Sequence, residues 1–264
     1  MRDLLICITA HKEGHGLRPA LQFAEEMCLS RHFQIDGLVT LDKADPKTVA
    51  VASDSAITAK TLDYGDVGAV RNWCLDQYCS EYRFILFLDG DDWCTNGWVL
   101  QTLESETPGP DPDVYVPNTR VLVWGRHLWA LKFRQPQVSG NSRLIRRLTR
   151  VTNMWGSCVL IPSRTAKLLR YRLESEGFLF EDWWYHMDIE SLGGSHISVP
   201  GKYFYRQDYL PRRVSRQNAL RREGGFLSPR PIDSLTHKLK ALIVLLLFFR
   251  GLAVGWKSAK GLQF

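Results

Sequence analysis

Several signatures are missing from this sequence, and each absence excludes something. The six cysteines, at positions 7, 28, 74, 79, 94 and 158, form no CxxC pair and no zinc spacing. No Gly-x-Gly-x-x-Gly turn and no phosphate loop ending in Gly-Lys-Ser/Thr occurs, which argues against dinucleotide binding and P-loop chemistry. No apolar run reaches the roughly 20 residues a membrane-spanning helix needs. The apolar start, Leu4-Leu5-Ile6-Cys7-Ile8, is too short for a signal-peptide core and has no cleavage-site pattern after it. There is no internal repeat. Several cysteines lie inside apolar segments, where a free thiol behaves as a small core residue. The expectation is a reduced, cytoplasmic chain able to sit at the inner face of the cell membrane.

What is present fits one α/β domain with an appendage. The chain has 264 residues, 45% of them hydrophobic, enough for a sizeable core. The division expected is a domain over 1–216 and a basic, apolar helical extension over 217–264. The net charge of +6 is unevenly placed. Arg143, Arg146, Arg147 and Arg150 cluster, as do Arg206, Arg212, Arg213, Arg216, Arg221 and Arg222. Such clusters favour anionic partners: phosphates, nucleic acid or an acidic membrane surface.

Strand and helix patterns alternate through the first hundred residues. Residues 4–9, 35–41 and 84–88 read as strands. Helical spacing runs over 17–30, from Pro46, and over 65–78 with Val67, Val70, Cys74 and Leu75 on one stripe. This order predicts βα units and a mainly parallel central sheet flanked by helices. Further on, 114–116, 121–124 and 154–161 read as strands, 105–113 and 134–143 as loops, and a helix is expected from Ser163. Open parallel sheets bind ligands at the carboxyl ends of their strands. His11, Asp42 and Asp89–Asp92 all fall at such ends.

Asp89-Gly90-Asp91-Asp92 carries the most chemistry. It closes the apolar run Phe84-Ile85-Leu86-Phe87-Leu88 with three carboxylates. Adjacent acids repel one another unless a cation sits among them. An all-oxygen set suits Mg²⁺ or Mn²⁺, which can also hold nucleotide phosphate oxygens. A calcium hand does not fit: counted from Asp89, the sixth position is Cys94 rather than Gly and the twelfth is Leu100 rather than Glu.

From Gly65 to Trp98 the sequence GDVGAVRNWCLDQYCSEYRFILFLDGDDWCTNGW resembles the family 2 nucleotide-sugar glycosyltransferases, which have the GT-A fold. Gly65, Gly68, Val70, Arg71, Asn72 and Leu75 follow that family's helix, and the strand after it runs into D-x-D-D. Ile8-Thr9-Ala10-His11-Lys12-Glu13 resembles the first-strand motif that cups the nucleobase. Leu41-Asp42-Lys43-Ala44-Asp45 occupies the place of the second acidic motif, without its Gly and Ser. Phe180-Glu181-Asp182-Trp183 resembles the E-D motif, and Tyr205-Arg206-Gln207 with Ser215 the later H-Y-R…S segment, whose His has no counterpart here.

The resemblance implies a division of labour. Asp91 would bind the metal, with Asp89 toward the ribose or a metal-bound water and Asp92 assisting or orienting. His11, Glu13, Asp42, Arg71, Asp89, Gly90, Arg206 and Arg213 would form the donor side. Asp182, with Glu181 second, would remove the acceptor's proton. One base with no adjacent nucleophile implies direct displacement and inversion. Trp155, Trp183 and Trp184 would wall the acceptor side, and the latter two would raise the carboxylate's pKa. The expected partners are a nucleotide-diphosphate sugar and a glycan or lipid-linked acceptor of surface polysaccharide or glycolipid synthesis. Residues 238–257, apolar but broken by Arg250, would add peripheral membrane contact.

Two other classes compete. A nucleotidyltransferase also uses paired Asp residues and Mg²⁺, but a Gly-rich, Lys-bearing nucleotide loop is missing near the N-terminus. A non-enzymatic nucleic-acid binder would use the basic clusters. It leaves Asp89–Asp92 and Glu181-Asp182 unexplained and has no binding module, so no nucleic acid is expected.

Overall fold

The computed structural model describes residues 1–105, 111–123, 131–134, 155–173 and 181–206. Chain order begins with β1 (Arg2–Ala10), a 3-10 turn (Gly14–Leu17), α1 (Arg18–Cys28), β2 (Ile35–Asp42), α2 (Pro46–Ser53) and β3 (Thr58–Leu62). It continues with α3 (Val67–Tyr78), β4 (Tyr82–Asp89), β5 (Trp93–Cys94) and α4 (Asn96–Ser105). Then come β6 (Val114–Val123), β7 (Leu131–Arg134), β8 (Val159–Pro162), α5 (Ser163–Leu168), α6 (Glu181–Ser191) and β9 (His196–Arg206).

The strands form one nine-stranded sheet in the order β3-β2-β1-β4-β8-β6-β9-β5, with β7 alongside β6. The first four strands in that order are mutually parallel. Beyond them the sheet turns mixed: β8 runs antiparallel to β4 and β6, and β5 antiparallel to β9, while β6 and β9 are parallel. The expected α/β class with a mainly parallel centre is therefore what forms.

Alternation along each strand splits the core in two. Leu4, Ile6 and Ile8 of β1 and Phe84, Leu86 and Leu88 of β4 pack with α1, α2 and α4. Leu5, Cys7, Ile85 and Phe87 point the other way, onto Cys74 and Leu75 of α3, Ala166 of α5 and Tyr185 and Ile189 of α6. Burial on both faces is why β1 and β4 read as unbroken apolar runs rather than alternating ones. All six cysteines are free and all but Cys28 are buried.

Local signals explain the helix starts. Asp45 caps α2, its carboxylate accepting from the Thr48 N–H at 2.8 Å, with Pro46 at the first helical position. Asp66 caps α3 through the Ala69 N–H at 3.1 Å. Several elements differ from expectation. The two strands read at 114–116 and 121–124 are one strand, Val114–Val123, with its register shifted between Pro117 and Thr119. The strand expected over 154–161 begins only at Val159, because Gly156 takes a left-handed turn (φ +71°). β3 is an exposed edge with no apolar alternation, β5 is two residues long and β9 contains Pro200 and Gly201. None of the three carries a strand pattern. Most of the loop expected over 134–143, the basic cluster from Arg143 to Arg150, the cluster beyond Arg206 including Arg213, and the 238–257 segment lie outside the described residues.

Candidate active site

The four parallel strands end at Ala10, Asp42, Leu62 and Asp89, along one edge of the sheet. On this edge His11 donates from Nδ1 to the Asp42 carbonyl at 2.6 Å, tying the ends of β1 and β2 together. The Asp42 carboxylate is buried and accepts two backbone N–H groups, from Tyr64 at 2.7 Å and Gly65 at 2.8 Å. It therefore fixes the entry to α3. Glu13 folds back onto the His11 N–H at 2.6 Å. Burial, ahead of the nearby Asp91 and Asp89 charges, lifts its carboxyl to about 7.

The acidic turn is held from three sides. The Asp92 N–H closes it onto the Asp89 carbonyl at 3.0 Å. Gly90 is required by proximity: a Cβ there would lie 3.0 Å from the Thr9 carbonyl oxygen and 3.2 Å from Glu13 Cδ. The Asp92 side chain is fully buried, accepts from the Tyr203 hydroxyl, and accepts the Arg206 N–H at 2.9 Å. Burial, then the adjacent Asp91 and Asp89, push its carboxyl well above the usual carboxylate range. Asp92 is thus a strut between the turn and β9. Tyr203 also bonds Ser157 Oγ at 3.0 Å.

Asp89 and Asp91 are the part-exposed acids of the turn. Arg206 and Asp91 both flank Gly16: a Cβ there would lie 3.2 Å from Arg206 Nη1 and 3.8 Å from Asp91 Cβ. The Arg206 guanidinium carbon stands 5.6 Å from the centre of the Trp93 ring, and that ring stacks on Phe204 at 5.0 Å. Among the described residues no three or more His, Cys, Asp or Glu side chains converge as a metal cage. Two carboxylates on an open turn instead fit a cation that draws its other ligands from water and substrate phosphate, as Mg²⁺ and Mn²⁺ commonly do.

Arg71, expected on the donor side, is enclosed between two carboxylates. Its side chain is 1% exposed, with Nη2 on Asp89 Oδ1 at 2.6 Å and Nη1 on Glu181 Oε1 at 2.9 Å. The rings of Tyr171 and Phe87 flank it at 5.1 and 5.9 Å. Burial opposes its charge, but Asp89 and then Glu181 more than offset this and keep it protonated. The same face of α3 carries Gly68 and Asn72. A Cβ on Gly68 would meet the Arg172 carbonyl oxygen at 2.7 Å. Asn72 exchanges two hydrogen bonds with the Tyr171 backbone, at 2.8 and 2.7 Å. The spacing 68, 71, 72 is thus one helix face seated on the segment that precedes α6.

Glu181 and Asp182 open α6. Burial, then Asp182, raise the Glu181 carboxyl to about 7 against the pull of Arg71. Asp182 is part-exposed, and its Oδ1 accepts the Trp183 N–H at 2.8 Å. The expected tryptophan wall is corrected by burial. Trp155 is 0% exposed and stacks on His196 at 3.8 Å, while Trp183 and Trp184 are 3% and 5% exposed. Side chains this enclosed pack the core rather than face an acceptor. Behind them His186 donates to the Gly156 carbonyl (2.8 Å) and accepts from His196 (2.9 Å). Burial lowers the His186 pKa to about 4 and that of His196 well below its usual value. The sequence reading missed Tyr203, Gly16 and the histidine pair. No motif marks them: Tyr203 meets Asp92 from 111 positions away, and two histidines ten positions apart fit no pattern until α6 and β9 pack together.

No family model and no curated protein sequence matches the chain. Solved structures do. TarS from S. aureus superposes with a TM-score of 0.56 at 18% identity, covering 78% of this chain and 37% of TarS. The mannosyltransferase PcManGT from Pyrobaculum calidifontis, in complex with GDP-Man and Mn²⁺, gives 0.54 at 12% identity over 98% of this chain and 79% of its own. GalNAc-T7 with UDP, GalNAc and Mn²⁺ gives 0.53 at 15% identity, over 78% and 44%. The chain thus spans 37% of the length of TarS and 44% of GalNAc-T7. At these identities the likeness establishes the fold, which is GT-A.

Proposed function

We propose that this protein is a metal-dependent, inverting glycosyltransferase. It would move a sugar from a nucleotide-diphosphate sugar to a glycan or lipid-linked acceptor in surface polysaccharide or glycolipid synthesis. The observation that carries the reading is the placement of Asp89 and Asp91, part-exposed at the end of β4 on a GT-A sheet, next to Arg206 and joined through Arg71 to Glu181-Asp182. Two of the similar structures hold a nucleotide or nucleotide sugar with Mn²⁺, which supports that donor class.

Asp91 would hold the metal ion, with Asp89 toward it or the ribose. The ion would offset the charge gained by the leaving diphosphate. Arg206, fixed by its backbone to Asp92, adds a second positive group on the same side. His11, Glu13, Asp42 and Gly90 shape the nucleoside end of the edge, Asp42 by setting the start of α3. Asp182 is the base, because Glu181 is already engaged by Arg71. One carboxylate without a neighbouring nucleophile favours a single displacement and inversion. Among the described residues no helix is long and apolar enough to cross a membrane. Contact through 238–257 with a membrane's inner face and with lipid-linked acceptors remains part of the proposal, as does diphosphate contact by Arg213.

A panel of nucleotide sugars with Mn²⁺ or Mg²⁺, followed by thermal shift and nucleotide release, tests it. Stabilisation by a nucleoside diphosphate that disappears in Asp91→Ala is expected. Asp182→Asn should keep that binding and lose turnover by about 10²-fold or more. Salt-sensitive nucleic-acid binding with no nucleotide-sugar response would overturn the proposal.

A further inference from the structure

We propose that Arg71 is a positioning residue that couples the donor site to the start of α6, so that filling the first orders the second. The inference rests on the reading of Asp89 and Asp91 as the donor and metal site. Arg71 is a planar fork whose two Nη groups reach different acids, 18 and 110 residues away in sequence. One acid belongs to the metal-side turn and the other is the first residue of α6. The guanidinium is shut away from water, and its rotation is limited by Tyr171 and Phe87.

A fork in that position cannot move toward one carboxylate without changing its grip on the other. On either side of it, Gly68 and Asn72 fix α3 to Tyr171 and Arg172, so α3 cannot absorb the movement by sliding. With a cation held at the turn, the Asp89 carboxylate would turn toward it and loosen its hold on Arg71 Nη2. Arg71 responds, and Glu181 with it. Asp182 is the next residue, so the orientation of the proposed base is set by whether the donor side is filled. Glu181 therefore acts through the helix start and not as a second base.

Hydrogen–deuterium exchange of the full chain tests this, with Mn²⁺ plus UDP and Mn²⁺ plus GDP as probes and their affinities measured by calorimetry. In wild type, the probe that binds should slow the amides of 181–191 by about fivefold or more, the low end of ordinary coupling between sites. Glu181→Gln, and independently Arg71→Lys, whose point charge cannot span both acids, should retain nucleotide binding and lose that slowing. The readout is a ratio with and without probe, so general destabilisation does not move it. Equal slowing in both variants and wild type overturns the coupling and leaves the donor site standing. Wild type that binds neither probe overturns the donor-site reading and the coupling with it.

Discussion

Adding one methyl group at Gly68 should damage this protein, although the same change stabilises most helices. Gly costs about 1 kcal/mol relative to Ala inside a helix, so Gly→Ala is ordinarily favourable. At Gly68 the new Cβ would lie 2.7 Å from the Arg172 carbonyl oxygen and 3.1 Å from Asp66 Oδ1, the cap of α3. The first is backbone and cannot rotate away. Glu181 Cβ stands only 3.5 Å off, so a retreat of the 171–173 segment also disturbs the Arg71 bridge. A 2.7 Å approach to backbone falls in the upper half of the range for overpacking, about 2–3 kcal/mol, leaving a net loss of roughly 1–2 kcal/mol after the propensity gain. For a domain of this size each kcal/mol shifts Tm by about 2–4 °C. Gly97, in α4, is the internal control. A Cβ there meets nothing within 4 Å, so Gly97→Ala should hold or raise stability. Denaturant unfolding of both variants decides it. If Gly68→Ala is as stable as wild type, α3 is not seated on the Arg172 carbonyl as described.

Burial of Glu13 raises its carboxyl to about 7, so between about pH 4.5 and 7 the native chain holds a proton that the unfolded chain releases. Its contribution to stability therefore falls as pH rises, by up to about 1.4 kcal/mol per unit. His186, lowered to about 4, acts in the opposite direction below about 6.5. In chelator-containing buffer, Glu13→Gln should make stability climb more steeply with pH than in wild type, and an unchanged slope contradicts the burial argument. Tyr203→Phe removes the hydroxyl donor from buried Asp92 and should cost about 1–3 kcal/mol in urea unfolding. No loss would mean that Asp92 is satisfied otherwise. Trp183→Ala should cost about 3–5 kcal/mol of stability, as expected for a core aromatic. A variant of normal stability with weakened acceptor binding would restore Trp183 to the acceptor side.

Three strands of the sheet's parallel half were legible because β1 and β4 are buried on both faces and β2 on most of its length, so their residues are mostly apolar; the exposed edge strand β3 was not. Apolar spacing gave α1 and α3 and Asp45-Pro46 gave the start of α2, while α4 and α6 were not read from the sequence. The mixed half was legible only in part: β6 was read as two pieces and β8 within a longer strand, while β5, β7 and β9 were not read. β9 pairs with β6 from more than seventy positions away, through a sequence broken by Pro200 and Gly201, and its partner rather than its pattern makes it a strand. The acids at strand ends were found from position alone. Their partners were not, since the sequence sets Asp92 to assist or orient and Asp42 on the donor side without showing that Tyr203, Arg206, Tyr64 and Gly65 arrive beside them. The tryptophans misled for the same reason: an aromatic near a carboxylate reads alike whether it faces a cleft or the interior.

The brace at Asp92 also sets a timetable. The residues that hold it lie 111 and 114 positions further along the chain. A growing polypeptide can complete the first four parallel strands early, through contacts between near neighbours in sequence, yet its acidic turn lacks its far support until β9 has been made and has inserted beside β6 and β5. Until then a buried carboxyl waits without its donors, and the turn has no reason to hold the shape that cation binding needs. On the proposed reading, competence for metal would be among the last properties the newborn chain acquires, and a chain interrupted before β9 would carry the whole acidic motif without its brace.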